Sequence, residues 1–291
     1  MDSNLTKKRS VISAARGIAH YFSIHFLRNK FIEVKITSLD LIFKVKSNTI
    51  FSWKLSKYRS YEPENSNFII QSFPFESGGL LVDVGANFGW YACIFAKIAG
   101  KNGTVVCFEP DNENLDLLKY NLNNNSLYKN TNVIEAGVGE LAGKLSLRRA
   151  PDSNPGMHSI VNLPHTNNNE NFPQIVIVTL DEALEKYPGS IDLLKIDIEG
   201  YEINALMGAQ KTLARCKNLL IEYSPGFLKA AGKDPFELIE IIDAAGFSIY
   251  KLENGKKEAM SIEFLKNLDK EVSSLFFFQI DLFCIKNKMP D

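Results

Sequence analysis

Apolar runs of about four to six residues alternate with helix-like segments through most of the chain after residue 79. This alternation is typical of βαβ units, in which helices connect parallel strands and cover the faces of the sheet. It predicts seven strands, at residues 80–84, 104–109, 133–136, 191–197, 219–223, 247–252 and 276–285. We therefore expect an α/β fold with a mostly parallel sheet.

The end of the chain refines this topology. Asp234 has the chemistry of a helix N-cap and Pro235 suits the first helical position, so a helix begins here and ends before Gly246. The last two predicted strands flank a helical insert at residues 262–270. Because these strands follow each other closely, we expect the C-terminal strand to pair antiparallel, whereas a dinucleotide-binding domain continues with parallel βα units.

The N-terminal region has a different pattern. Residues 31–36 and 41–46 carry β-branched and aromatic side chains and predict two short strands. We interpret residues 1–59 as a small N-terminal cap and residues 60–291 as the main domain. Residues 11–28 predict a helix that docks on the protein's own core or, as the alternative, makes a weak contact with a membrane surface. Its apolar positions are Val11, Ile12, Ile18, Phe22, Phe26 and Leu27.

Composition excludes several classes of function. Hydrophobic residues make up 45% and charged residues 23% of the chain, which is the balance of an ordinary globular protein. The 33 lysines and arginines are matched by 34 acidic residues, so we expect no nucleic-acid partner. The sequence lacks an apolar run of the ~18 residues that a membrane span requires, and we expect a cytoplasmic protein. The cysteines lack metal-site spacing, and we interpret them as buried thiols: Cys93, Cys107, Cys216 and Cys284.

A glycine-bearing turn follows the first strand of the predicted sheet. Gly85 and Gly89 let a ligand lie against the backbone, while the N-terminus of the next helix presents unpaired N–H groups. Ala86 and Asn87 lie within this turn. Asp83, at the end of the strand, would face the amino group of a zwitterionic ligand, which fits a methionine moiety better than a pyrophosphate. A turn that serves packing alone is the alternative.

An acidic residue ends the second strand. Glu109, followed by Pro110, lies twenty residues after Gly89, and a carboxylate at this place can accept hydrogen bonds from both hydroxyls of a ribose. After the third strand, Gly137 and Val138 can expose backbone groups to an adenine edge, although turn chemistry explains the glycine equally well. These motifs predict an adenosine-containing ligand. The acid would also suit NAD, but the spacing GxNxG differs from the GxGxxG of dinucleotide sites.

The fourth predicted strand carries the candidate catalytic residues. Lys195 and Asp197 lie on the same side of this strand, and its carboxyl end faces the crevice where open α/β sheets bind ligands. Glu199 follows in the turn. Glu202 begins the next helix, where an acidic residue has an ordinary explanation in the helix dipole.

These motifs together resemble those of the FkbM family of methyltransferases. The matching segments occur in the family's order and spacing at residues 83–89, 108–110, 179–181, 195–202 and 221–222. The resemblance extends over about residues 60–252 and implies a class I methyltransferase fold that is Rossmann-like, with S-adenosyl-L-methionine as cofactor. It places the cofactor at Asp83, Gly85, Asn87, Gly89 and Glu109, and the acceptor chemistry near Asp197 and Glu199.

The resemblance also indicates a reaction. Members of the family methylate hydroxyl groups of sugars, polyketides or related secondary metabolites, so we expect an O-methyltransferase acting on a sugar, glycan or secondary metabolite. A general base helps such a transfer, because a hydroxyl is a poor nucleophile while it keeps its proton. We assign that base to Asp197 or Glu199, with Lys195 adjusting the local field. His158 is the rival base, in a polar loop at residues 151–174 that forms either a lid or a disordered segment.

Three alternatives stay open at this point. Asp197, Glu199 and Asp181 could hold a divalent cation, since hard oxygen ligands suit magnesium, but we adopt a site without metal. A NAD-dependent oxidoreductase would share the parallel sheet and the acid after the second strand. A catalytically silent Rossmann-like module would use the same fold for binding alone.

Overall fold

Residues 13, 16, 17, 30–166, 172–272 and 275–288 are described by a computed structural model of the chain. The predicted apolar stripe at 11–28 falls almost wholly outside these residues, and so do positions 167–171 of the polar loop. Within the described ranges, no helix is long and apolar enough to cross a membrane. All four cysteines are buried and unbridged, as predicted.

Strands and helices follow one another in the predicted alternating order. The strands are β1 (Phe31–Ile36), β2 (Leu41–Lys46), β3 (Gly79–Val84), β4 (Gly103–Phe108), β5 (Thr131–Ile134), β6 (Gly137–Val138), β7 (Gly143–Ser146), β8 (Gln174–Val178), β9 (Leu193–Ile196), β10 (Asn218–Tyr223), β11 (Phe247–Glu253), β12 (Lys256–Ala259) and β13 (Ile280–Lys286). The helices are α1 (Ile50–Tyr58), α2 (Pro63–Ser72), α3 (Trp90–Ala99), α4 (Asn112–Asn124), α5 (Leu180–Ala183), α6 (Glu202–Met207), α7 (Gln210–Ala214), α8 (Pro225–Ala230), α9 (Pro235–Ala244) and α10 (Ile262–Val272).

The main sheet has eight strands in the order β12-β11-β13-β10-β9-β3-β4-β5. From β10 to β5 all neighbours pair parallel, whereas β13 pairs antiparallel with both β10 and β11. A parallel sheet that takes in its C-terminal strand antiparallel is the class I methyltransferase arrangement. The predicted fold class is therefore confirmed, although the sheet has one strand more than the seven we predicted.

The additional strand, β12, comes from a tight hairpin. β11 turns at Asn254 and Gly255, which have φ values of 52° and 72°, and pairs antiparallel with β12. Positive φ at both central residues fits the type I′ turn that Asn-Gly favours. The Asn-Gly pair was thus a signal that we missed, because the exposed residues of β12 show no alternation of apolar and polar side chains.

The order in which the chain adds parallel strands to the sheet reverses beside β3. It passes from β3 to β4 and β5, and then returns to β9 on the other side of β3. Open α/β sheets bind ligands at such a switch point, beyond the carboxyl ends of the strands. The residues that follow β3, β4, β9 and β10 therefore meet at one crevice.

The β1–β2 hairpin packs beside this crevice. Every residue of α3 except Lys97 is buried, as a helix that is apolar all round requires, and the hairpin contributes to the same hydrophobic cluster. Asn125 exchanges two hydrogen bonds of 2.8 Å with the backbone of Ile42. Asn121 donates to the carbonyl of Lys44 at 3.0 Å and accepts from its N–H at 2.7 Å. The N-terminal region is thus tied to α4, and its separation at residue 59 stays a prediction.

One predicted boundary was wrong, and two strands were not predicted. β13 begins at Ile280 instead of 276, because Phe276 and Phe277 pack against Phe227, with ring centroids 5.4 and 6.1 Å apart. We also did not predict β7 and β8, which form a three-stranded sheet with β6. β7 has only four residues, and all of them are exposed or half-buried, so its sequence shows no apolar run.

Candidate active site

The crevice consists of two adjoining cavities. The first, the glycine-rich cavity, includes Gly85, Glu109, Gly137 and Gly156 in its lining. The second, the acidic cavity, includes Glu62, Asp197, Glu199, Glu222 and Asp281. Residues that line both cavities form what we call the shared wall: Gly85, Asn87, Gly156, Asp197 and Glu199.

Gly85 occupies a position that only glycine fits. Its φ is 80°, and a Cβ atom there would lie 2.0 Å from the carbonyl oxygen of Asp197. The N–H groups of Gly85 and Ala86 both donate to the carbonyl of Phe108 at 3.0 Å. The turn after β3 is therefore held against the ends of both neighbouring strands, and the missing side chain leaves backbone exposed to the cavity.

Glu109 is the acid of the glycine-rich cavity. Its carboxylate is buried and accepts hydrogen bonds from the backbone N–H of Asn87 at 2.8 Å and of Asp111 at 2.9 Å. Burial raises the pKa of Glu109 to about 7, although these two donors act in the opposite direction. Each carboxylate oxygen keeps a further lone pair, so the group can still accept hydrogen bonds from ligand hydroxyls.

The other residues predicted to bind the cofactor divide into three groups. Pro110, Gly137 and Val138 line the glycine-rich cavity. Ala86 lines the acidic cavity. Gly89 is not part of either lining, because it begins α3 with φ of 91° and a Cβ atom there would lie 2.8 Å from a side-chain carbon of α4. The close packing of α3 against α4 explains why position 89 is a glycine.

Asp83 also lies outside both linings. It is fully buried, and neither carboxylate oxygen has a hydrogen-bond partner among the described residues. The register of the sheet places it beside Lys195. Burial raises the pKa of Asp83 to about 6, while the charge of Lys195 lowers it. Asp83 therefore lies beneath the site, next to Lys195, whose ammonium group forms a salt bridge with Asp197.

The described part of the polar loop forms a wall of the glycine-rich cavity. Gly156, His158 and Ser159 contribute to the lining. Nδ1 of His158 accepts a hydrogen bond from the backbone N–H of Ala150 at 2.9 Å, and burial lowers the pKa of the imidazole. The loop is therefore packed, and the rival base faces the glycine-rich cavity. Its role as a lid stays a prediction.

Lys195 and Asp197 form a salt bridge at the mouth of the acidic cavity. Lys195 Nζ lies 3.0 Å from Asp197 Oδ2 and 4.8 Å from the ring centroid of Tyr91. Burial acts against the charge of Lys195, but Asp197, Asp83 and Glu62 outweigh it and raise the pKa of the lysine. The ammonium group therefore stays charged and stabilises the carboxylate of Asp197.

Glu199 is held in place by a strained turn. It has φ of 55° and is followed by Gly200 with φ of 97°. Glu202 braces this turn, because its buried carboxylate accepts hydrogen bonds from the N–H groups of Ile198 and Gly200 at 3.0 Å. Burial, reinforced by the charge of Asp197, raises the pKa of Glu199 well above its usual value. Glu202 thus has a structural explanation, as the sequence indicated.

Three further acids of the cavity had no role in the sequence analysis. Glu222 is the last residue but one of β10 and lies opposite Asp281 in the register of β13. Asp281 accepts a hydrogen bond from Asn65 at 2.6 Å, and Glu62 accepts one from the hydroxyl of Tyr91 at 2.7 Å. Glu222 could have been found from its place at the carboxyl end of a parallel strand. Glu62 and Asp281 reach the cavity from elements whose position depends on tertiary packing.

The acid that we grouped with Asp197 and Glu199 lies elsewhere. Asp181 accepts hydrogen bonds from the backbone N–H groups of Lys211 at 3.0 Å and Thr212 at 2.7 Å, and so holds the start of α7. Its place is taken by Glu222. Single carboxylate oxygens of Asp197, Glu199 and Glu222 all lie within 4.8 Å of one another.

Comparison with known proteins identifies the family. The profile of the methyltransferase FkbM domain matches residues 83–249 of the chain. The chain belongs to this family, which confirms the resemblance seen in its motifs. Membership also assigns S-adenosylmethionine as the cofactor, as predicted, and favours methyl transfer over a NAD-dependent reaction.

Two curated relatives and one solved structure are similar to the chain. The hexuronic acid methyltransferase AglP of Haloferax volcanii is 26% identical over 177 residues, which cover 60% of this chain and 65% of the relative. The methyltransferase sdnD of Sordaria araneosa is 28% identical over 164 residues and 62% of its length. The chain thus spans a little less than two thirds of each relative. A methyltransferase FkbM from Methylobacillus flagellatus has a TM-score of 0.45, with 15% identity over 80% of this chain and 52% of that protein.

Proposed function

We propose that the protein is an S-adenosylmethionine-dependent O-methyltransferase that acts on a hydroxyl group of a sugar or a related polyhydroxy compound. One observation carries this proposal. The two cavities share a wall, and that wall presents the carboxylates of Asp197 and Glu199. A cofactor in one cavity and an acceptor in the other would therefore meet beside groups that can remove a proton.

The glycine-rich cavity fits the cofactor. Glu109 would accept hydrogen bonds from the ribose hydroxyls, and Gly137 and Val138 would lie beside the adenine. At Gly85, any side chain would fill the space next to Asp197. When bound, S-adenosylmethionine supplies the methyl group: its carbon–sulfur bond breaks as the acceptor oxygen bonds the carbon, the electron pair stays on sulfur, and S-adenosylhomocysteine leaves.

Asp197 is the better placed of the two candidate bases. The ammonium group of Lys195 remains protonated and forms a salt bridge with the carboxylate of Asp197 at 3.0 Å. Glu199 is more deeply buried, and its raised pKa favours the protonated form, which cannot accept a proton. We therefore assign proton removal from the acceptor hydroxyl to Asp197, and orientation of the acceptor to Glu199. The polar loop and α1 contribute residues to the linings of the two cavities, where they would help to exclude water once both ligands are bound.

The acceptor cavity suits a compound with several hydroxyl groups. Its lining offers carboxylates at Glu62, Glu222 and Asp281 and an amide at Gln279, all of which bind hydroxyls through hydrogen bonds. A sugar is such a compound. The name of the Haloferax volcanii relative, a hexuronic acid methyltransferase, agrees with this class of acceptor.

The test is transfer of a labelled methyl group. The purified protein is incubated with methyl-labelled S-adenosylmethionine and a panel of neutral sugars, hexuronic acids, amino sugars and their nucleotide forms. We expect a labelled sugar in which mass spectrometry finds the methyl group on oxygen. A product labelled on nitrogen or carbon, or no transfer to any polyhydroxy compound, would contradict the proposal.

Ligand binding tests the cofactor independently of the acceptor. S-adenosylhomocysteine at 100 times its Kd should stabilise the protein by about 2.7 kcal/mol, because it binds only the folded state. NADH should leave the melting temperature unchanged. Stabilisation by NADH and not by S-adenosylhomocysteine would revive the oxidoreductase reading.

A further inference from the structure

Glu222 has an unusual environment for a charged side chain. Its exposed fraction is 9%, and its Oε2 atom has no hydrogen-bond partner among the described residues. A buried carboxylate oxygen that lacks a partner costs free energy, so native structures normally provide one. Glu222 also lines the acidic cavity, so this unpartnered side chain lies beside the space that a ligand would occupy.

The neighbours of Glu222 are carboxylates instead of hydrogen-bond donors. Oxygens of Asp197, Glu199 and Glu222 lie within 4.8 Å of one another. Lys195 faces Asp197, and the amide of Gln279 donates to Glu199 at 3.3 Å, but neither donates to Glu222. When they are ionised, carboxylates at this spacing repel each other strongly in a buried site. A positive group of small radius would remove the repulsion.

The spacing is compatible with the coordination shell of a hard divalent cation. Ca²⁺ binds oxygen at about 2.4 Å and Mg²⁺ at about 2.1 Å, so two ligands of one ion lie at most about 4.2–4.8 Å apart. Carboxylates are the ligands that these ions prefer, and Mn²⁺ accepts the same all-oxygen shell. No cysteine or histidine belongs to the cluster, so soft metal ions are not favoured.

We infer that Asp197, Glu199 and Glu222 form a binding site for one hard divalent cation, of the Mg²⁺, Ca²⁺ or Mn²⁺ type, in the acidic cavity. This inference revises our metal-free reading of the sequence, in which Asp181 took the place of Glu222. The inference rests on the proposed function, because the cation would lie at the acceptor side of the shared wall. There it would bind an acceptor hydroxyl and lower its pKa, and it would let an anionic sugar enter a cavity rich in carboxylates.

The test measures the cation directly. The full-length protein is treated with EDTA, desalted, and titrated with MnCl₂, with electron paramagnetic resonance to count free Mn²⁺; MgCl₂ and CaCl₂ then compete. We expect one saturable Mn²⁺ per chain. Glu222→Gln keeps the shape of the side chain but removes its charge, and it should weaken the affinity at least about 10-fold, which is typical when a metal site loses a supporting group.

Asp281→Asn is the matched control, since it replaces another carboxylate of the same cavity from outside the cluster. It should change the Mn²⁺ affinity by less than about threefold, as a charge that does not ligate the ion. S-adenosylhomocysteine binding by both variants confirms that they are folded. Absence of saturable binding by the wild-type protein, or equal affinity in wild type and Glu222→Gln, would overturn the inference.

The outcome is separable from that of the proposed function. If S-adenosylhomocysteine binds and methyl transfer continues in EDTA while Mn²⁺ does not bind, the cation site is refuted and the methyltransferase proposal stands. If Mn²⁺ binds but S-adenosylhomocysteine does not, the cation site stands and the proposed function fails.

Discussion

The two cavities differ in how their acids are held. In the glycine-rich cavity, each oxygen of Glu109 accepts a hydrogen bond from the backbone, and Gly85, Asn87 and Glu109 come from the ends of two strands that are consecutive in the chain. In the acidic cavity, the carboxylates come from the N-cap of α2, the turn after β9, and strands β10 and β13. One oxygen of Glu222 has no hydrogen-bond partner among the described residues. A site whose polar groups already have hydrogen-bond partners in the backbone is organised before a ligand binds. Polar groups without such partners are expected to gain them from a ligand.

This difference suggests a division of labour. The cofactor is the same for every member of a methyltransferase family, so a cavity built from local motifs suffices for it. The acceptor varies, and the acidic cavity, which we propose binds it, depends on elements that are far apart in the chain. Asp197 joins the two, because its carbonyl oxygen contacts Gly85 and its side chain pairs with Lys195.

The largest effect is expected at Asp197. Replacement by Asn keeps the shape of the side chain but removes the proposed base, so turnover of the acceptor identified in the labelling panel should fall by about 10² to 10⁴. The affinity for S-adenosylhomocysteine, measured by calorimetry, should change by less than about threefold, because the nucleoside contacts remain. A variant with wild-type turnover would show that proton removal occurs elsewhere.

The next effect concerns the turn that separates the cavities. Gly85→Ala introduces a Cβ atom at a positive φ, which costs about 1–2 kcal/mol, and forces it against the carbonyl of Asp197, which adds about 1–3 kcal/mol. Gly189 has a similar φ of 88° but open space around it, so Gly189→Ala should cost only the first amount. Urea unfolding measures both. Equal losses of stability would mean that the close approach at Gly85 is relieved by movement.

The sequence predicted the glycine-rich cavity better than the acidic one for a physical reason. Gly85, Asn87 and Glu109 lie just after two strands whose apolar runs are clear, and parallel strands bring their carboxyl ends together. Two motifs that are each local in the chain therefore define the part of that cavity around Gly85 and Glu109. Asp83 and Gly89 belong to the same motif but serve the packing beneath and beside the site.

The acidic cavity required information that a single sequence does not hold. Asp281 faces Glu222 only through the antiparallel register of β13, whose start we placed four residues too early. Glu62 precedes α2 and lies in the lining of the cavity, where it accepts a hydrogen bond from the hydroxyl of Tyr91. Asp181 belongs to one of the family's motifs, but its carboxylate caps α7 and does not lie in the cavity. Spacing along the chain cannot distinguish a capping acid from a cavity acid.

A smaller effect is expected at the acid of the glycine-rich cavity. Glu109→Gln loses one charged acceptor, and hydrogen bonds to charged groups contribute about 1.5–3 kcal/mol, so the Kd for S-adenosylhomocysteine should rise about 10- to 100-fold. The Mn²⁺ affinity of the acidic cavity should not change, since Glu109 is absent from its lining. A parallel loss of both affinities would show that the two cavities do not act separately.

The pH dependence of this binding has a definite sign. Burial raises the pKa of Glu109 to about 7, and the ionised form is the better acceptor for ribose hydroxyls. Affinity for S-adenosylhomocysteine should therefore fall as the pH is lowered from 8 to 6, and the dependence should be weaker in Glu109→Gln. An unchanged slope in the variant would assign the titration to another acid.

The smallest effect is expected at Asp181, and it tests whether the division between capping and cavity acids is correct. Asp181→Asn keeps one acceptor oxygen but loses the second, so part of the cap of α7 is removed and the free energy of unfolding should drop by about 1 kcal/mol. Neither cavity includes this side chain, so the affinities for S-adenosylhomocysteine and Mn²⁺ should match those of the wild type. Weaker Mn²⁺ binding in this variant would return Asp181 to the cluster from which the structure separates it, and would mean that the region around α7 moves toward the acidic cavity in solution.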